Sequence, residues 1–251
     1  MLDRPAREPI FNVPAVVLGL LALLALIHAL LAFVLTTEQT NQLLLLFAFI
    51  PARYAAAALR GEMLPGGLGA DLWSFVSYAL IHADLSHLMF NAVWLLAFGS
   101  PVARRFGPLR FLAFLAAAAA AGAAVFLASH FGEPLLMIGA SAAISGAMAA
   151  AMRFAFQRGG PLGLWAGREQ SYRVPAASLR ESFRDPRVLA FLLVWFGSNA
   201  LFGLGGFEMP GTQQAVAWES HIGGFLVGLF AFAAFDPVDN SAANAGGEGP
   251  Q

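Results

Sequence analysis

A serine hydroxyl becomes a nucleophile when a histidine within hydrogen-bond reach can take its proton, and the tetrahedral product needs donors aimed at its new oxyanion. Three stretches of this chain supply those residue types. Ser141 sits in the small-residue run "IGASAAISGAMAA" (138–150). His221 opens "HIGGFLVG", and His87 and Asn91 lie in "HADLSHLMFNAVW". His87 and Asn91 are four residues apart, so a helix presents both from one face. Their imidazole and amide, with the backbone N–H of Ser141, make a candidate oxyanion site. The chemistry on offer is acyl transfer. Ser141 attacks a carbonyl, and His221 takes the hydroxyl proton and returns it to the leaving amine.

Plainer uses compete with each of these. A serine among glycines and alanines is ordinary helix-seam packing. Gly224 and Gly228 form a G-x-x-x-G packing motif, and His87 and Asn91 can serve as interhelical hydrogen-bond partners. The packing reading carries its own consequence. A helix bearing Gly224 and Gly228 can approach the Gly139/Ala142/Ala143/Gly146 face of another, and that approach brings His221 to Ser141. No metal site is expected. The chain has no cysteine, and the five-residue step from His82 to His87 does not stack two ligands on one helical face. No acidic side chain is placed to orient His221, because Glu219 precedes it by two residues and Asp84 is nearer His87. The expectation is a Ser–His dyad.

The elements that must position these groups are set by composition. The 251 residues are 59% hydrophobic and 12% charged, against about 25% charged in soluble domains. The expected fold is an all-α polytopic membrane protein with six spans, at about 14–36, 74–100, 109–131, 138–157, 187–205 and 214–235. A short N-terminal segment (1–13) precedes this 14–235 membrane domain, and a Gly/Ala/Asn-rich tail (236–251) expected to be disordered follows it. The first apolar tract is longer than a signal-peptide core of about 7–15 residues, so it is read as a retained span. All 14 basic residues are arginines. With both termini cytoplasmic, twelve of them fall on the inner side and only Arg53 and Arg60 outside. Counting 41–60 as a further span would put the Arg-rich 159–187 loop outside, so that segment is expected to rest in the outer leaflet without crossing. A net charge of −1 offers no basic field for nucleic acid.

In this frame the second, fourth and sixth spans run inward, and each carries polar groups in its outer half. Ionisable groups inside spans are costly and are functional candidates by default. His28, alone in the first span, is assigned to interhelical bonding or the interface, and His130 to a loop.

"HADLSHLMFN", "GASAAISG" and "HIGGFLVG", in this order and on these helices, resemble the rhomboid family of intramembrane serine proteases. The resemblance implies Ser141 as nucleophile, His221 as general base, His87 and Asn91 as oxyanion donors, and His82 nearby ordering water. It implies no cofactor, and single-span membrane proteins as substrates, cut near their outer ends. It also likens 41–60 to the family's membrane-embedded first loop, and the fifth helix with "GLGGFEMPGTQQ" to a mobile gate and cap. The family's usual glycine after the serine is Ala142 here; a methyl there could crowd the substrate or the oxyanion pocket, but it removes no chemical group, so activity is expected to survive. Ser145 stands where some members carry an aromatic. Two rivals remain: an inactive rhomboid-like protein that binds or escorts membrane clients, and a small transporter or channel, for which inverted repeats and charged mid-membrane groups are missing. The Ala/Arg-rich composition, without targeting extensions, points to a bacterial inner (plasma) membrane.

Overall fold

Inside a bilayer the backbone must satisfy its own N–H and C=O groups, and helices do this within one segment. The computed structural model of the chain describes residues 13–59, 64–162, 169–204 and 217–238. These are mostly helical, and Phe49 and Met137 form an isolated antiparallel bridge. The N-terminal segment before Val13, the tail after Val238 and the "GLGGFEMPGTQQ" loop lie outside the described residues, apart from Gly203 and Leu204 at the head of that loop.

Among the described residues, three helical stretches are long and apolar enough to cross a membrane: Ala15–Val34, Leu85–Phe106 and Pro108–Ser129. The first is α1 (Ala15–Ala29) continued by a π-turn over Leu30–Val34. Then come α2 (Thr37–Phe47), α3 (Ala52–Leu59) and α4 (Gly67–Ser77). The second crossing is α5 (Leu85–Trp94), a π-turn (Leu95–Gly99) and α6 (Ser100–Phe106), and the third is α7 (Pro108–Ser129). Shorter elements follow: α8 (Ser141–Met152), α9 (Leu179–Ser182), α10 (Pro186–Leu204), α11 (Trp218–Phe230) and α12 (Phe232–Phe235).

The single span expected over 74–100 is corrected. That stretch holds the end of α4, a 3₁₀ turn at Tyr78–Leu80, an extended link, and then α5, which starts a fresh run to Phe106. The cause is local. Asp84 adopts extended backbone angles and accepts the His87 N–H at 2.8 Å, capping α5. His82 therefore precedes the helix that carries His87 and Asn91.

The described part of the 41–60 segment lies in two short helices, α2 and α3, separated at 48–51. The eleven residues of α2 rise about 16 Å, roughly half a bilayer core. Thr36 and Gln39 cap its start as a capping box. Arg53 is buried and ties the segment together, donating to the carbonyls of Leu45 and Pro65 and pairing with Asp71 at 3.4 Å.

At the centre, α8 is enclosed, and every residue from Ala142 to Met152 is buried. Small residues permit this. A methyl on Gly224 would collide with the Ala142 carbonyl, and one on Gly228 with the Gly146 carbonyl. Against α7 the fit is reciprocal. Ala142 presses its methyl onto Gly122, while Ala118 presses its own onto Gly146.

At the end of the bundle away from Ser141, a buried arginine closes the structure. Arg105 pairs with both carboxylate oxygens of Asp236, at 2.9 and 2.8 Å, and donates to the Tyr172 and Val174 carbonyls. It thereby fastens part of the 159–187 loop and the end of α12 to α6. Asp236→Ala strands a buried guanidinium and is expected to cost about 3–5 kcal/mol of stability. A fall in the thermal unfolding midpoint measures it.

Candidate active site

Ser141 is the first residue of α8, where a backbone N–H has no intrahelical acceptor. The chain reaches it over a fixed platform. Ala52 N–H donates to the Glu133 carbonyl at 2.9 Å, and Phe49 and Met137 exchange hydrogen bonds at 3.1 and 2.9 Å. Gly139 N–H then donates to the Tyr78 carbonyl at 3.0 Å. Tyr78 is itself held, its hydroxyl donating to the Ala119 carbonyl of α7 at 2.9 Å. The short helices α2 and α3 thus frame the segment that delivers Ser141.

His221 lies in the first turns of α11, and the glycine seam sets its distance from α8. Its Nε2 is 2.8 Å from Ser141 Oγ. Its Nδ1 is 2.6 Å from Asn199 Oδ1, and Asn199 Nδ2 donates to the Trp195 carbonyl at 2.8 Å. Asn199 is buried on α10 and is absent from the residues that sequence motifs single out; its one signal in the sequence is a polar amide in an apolar segment. Glu219 turns away from His221. Its carboxylate meets His130 Nε2 at 3.3 Å, while His130 Nδ1 meets Glu133 at 3.1 Å.

His87 stands beside the serine turn. A Cβ on Gly139 would lie 2.6 Å from its Nε2, so the ring packs directly on that glycine, two residues before Ser141. Gly139 also has φ +115°, a conformation L side chains rarely adopt. Its expected place on the seam with the sixth span is therefore corrected. Gly139 precedes α8 and makes room for His87, while Gly224 and Gly228 face Ala142 and Gly146. One side-chain N–H of Asn91 donates to the His87 carbonyl at 2.9 Å, and the amide has a second to offer. His82 is buried with its ring edge-on to His87, centroids 5.0 Å apart, and its carbonyl lies 3.4 Å from His28 Nδ1. Among the described residues, no three His, Asp or Glu side chains are grouped to hold a metal ion.

The methyl of Ala142 points at Gly122 on α7. Ala142→Gly should lower stability by about 1–2 kcal/mol, from one buried methyl and a glycine in a helix. Thermal unfolding of the variant checks this.

Helical architecture and apolar crossings define an integral membrane protein. Residues 69–236 match the family model described as Rhomboid domain, about two-thirds of the chain. The chain belongs to the rhomboid family, whose members are generally serine intramembrane proteases. No curated protein matches it.

Proposed function

We propose that the protein is an intramembrane serine endopeptidase with Ser141 as nucleophile and His221 as general base. The observation that carries this reading is the 2.8 Å contact of His221 Nε2 with Ser141 Oγ at the head of a buried helix. Attack joins Oγ to the scissile carbonyl carbon as the Oγ proton passes to Nε2. The oxyanion is met by the Ser141 backbone N–H, the His87 imidazole and the free N–H of Asn91. Collapse breaks the C–N bond, and Nε2 returns the proton to the leaving amine. Water, activated by the same imidazole, then releases the acyl group.

In this reading α8, α10 and α11 complete six spans with the three long crossings. Both termini are cytoplasmic, as the arginine distribution favours. The twelve residues of α8 rise about 18 Å, well short of a core of about 30 Å. If its foot lies near the inner face, Ser141 is submerged below the outer face, within reach of a water-filled cavity. Substrates are single-span membrane proteins cut near their outer ends. His82, beside His87, is placed to order water at the site. The site is built from the chain's own residues and uses no cofactor.

The test is labelling by a fluorophosphonate and cleavage of a model single-span substrate in liposomes, for wild type and Ser141→Ala. Labelling and cleavage confined to the wild type support the enzyme. A wild type that binds the substrate yet neither labels nor cuts it points to a client-binding protein instead.

A further inference from the structure

The polarity of the hydrogen bonds at His221 is fixed from the main chain outward. A backbone carbonyl accepts and never donates. The 2.8 Å contact from the Trp195 carbonyl to the Asn199 amide therefore places Nδ2 on that side. The other end of the amide, Oδ1, faces His221 Nδ1 at 2.6 Å. Two lone pairs would repel at that separation, so Nδ1 carries the proton. A neutral imidazole has one N–H, so the Nε2 lone pair is left facing Ser141 Oγ. The opposite tautomer would aim an N–H at the hydroxyl and could not act as a base.

The geometry points to Asn199 as the positioning residue of a Ser141–His221–Asn199 relay, which selects the base-competent tautomer and steadies the imidazolium formed on attack. The inference rests on Ser141 and His221 acting as proposed above. When Oγ bonds to the carbonyl carbon, its proton moves to Nε2, and the ring then carries a proton on each nitrogen. The Nδ1 proton stays where it was, donated to Oδ1, and only the Nε2 proton leaves with the amine. Asn199 neither gains nor loses a proton. Its carbonyl dipole points at the ring that becomes positive.

Asn199 belongs to a different helix from both members of the pair. Trp195, whose carbonyl fixes the amide, stacks its ring on Phe225 of α11, centroids 4.3 Å apart at 28°. Phe196 meets the same ring edge-on at 5.8 Å. Phe225 lies one turn past His221. The contact that docks α10 on α11 is thus carried by the residue that aims Asn199. The other side of α10 is exposed at Leu189, Leu193 and Val194. Moving α10 off α11 would withdraw Oδ1 from Nδ1 and release the tautomer.

The experiment compares wild type, Asn199→Leu, Asn199→Asp and Ser141→Ala in liposomes. It follows cleavage rate against substrate density and the rate of fluorophosphonate labelling. Leucine has nearly the shape of asparagine and no acceptor. Asn199→Leu is expected to lose about 100-fold in kcat and in labelling rate, with KM changed by less than about twofold. Asn199→Asp again accepts the hydrogen bond from Nδ1–H and should recover about tenfold over leucine. The relay is overturned if Asn199→Leu keeps kcat within about threefold of wild type, if its loss lies in KM, or if aspartate does no better than leucine. Should Asn199→Leu not fold, as judged by thermal unfolding, Asn199→Ala replaces it in the same comparison. A wild type that does not label, or a Ser141→Ala variant that still cleaves, defeats the underlying pair rather than the relay.

Discussion

Ser141→Ala/His221→Ala is expected to cleave no more slowly than either single variant, and each single variant is expected to lose about 10³-fold or more in kcat. The reason lies in the 2.8 Å contact between Nε2 and Oγ. A base without its hydroxyl has no proton to take. A hydroxyl without its base remains a poor nucleophile near neutral pH. In the proposed proton transfer the two groups act as one unit, so removing the second costs nothing further. Single-turnover cleavage of a fluorogenic transmembrane peptide, with the four proteins at equal reconstituted density, measures the cycle. Losses that multiply in the double variant would show that the two residues act independently, and the proposed proton transfer would be wrong.

The next largest effect is expected at a residue that takes no part in the chemistry. Gly139→Ala meets two obstacles at once. Its φ of +115° is rarely open to a side chain, and the new methyl would lie 2.6 Å from His87 Nε2. Backbone strain of this kind costs about 1–3 kcal/mol. In the proposed mechanism the displaced imidazole no longer points where the oxyanion forms, and losing one such donor costs about 10²–10³-fold in kcat. The combined expectation is a fall of about 10²-fold or more in kcat, with a lowered unfolding midpoint. The cycle with His87→Ala separates the two causes. Once the ring is gone, Gly139→Ala should retain its effect on stability and lose most of its further effect on kcat. Equal kcat losses in both backgrounds would mean that Gly139 does not act through His87.

Much of this arrangement was legible in the chain. Ser141 and His221 could be paired because the glycine seam between their helices is written as Gly224-x-x-x-Gly228, and the seam fixes both distance and depth. His87 and Asn91 could be placed on one face by their spacing alone. Three features escaped, each for a physical reason. The break before α5 is hidden in a hydropathy profile, which sees "SYALIHADLSHLMF" as one apolar run. The signal was Asp84, a capping residue three positions before His87. Gly139 was assigned to the seam because a periodicity argument assumes helical backbone, and its positive φ lies just outside the helix. Asn199 escaped because its depth relative to His221 depends on how α10 docks on α11. That is decided by the Trp195–Phe225 stack, and no spacing within one helix reveals it.

The exchange of small groups between α7 and α8 limits how this protein can move. Ala142 fills the notch of Gly122, and Ala118 fills the notch of Gly146, one turn along. The two helices are keyed like a shaft in its hub, since sliding or turning either one drives both methyls into backbone at once. With α11 bearing on α8 through Gly224 and Gly228, the three helices form an anvil that holds the Ser141–His221 contact at constant length. Any opening that admits a polypeptide then has to come from outside this three-helix unit, and α10, which meets it through the Trp195–Phe225 stack, is one such piece. In the proposed mechanism, Ser141 and His221 then keep their contact while an outer helix gives way.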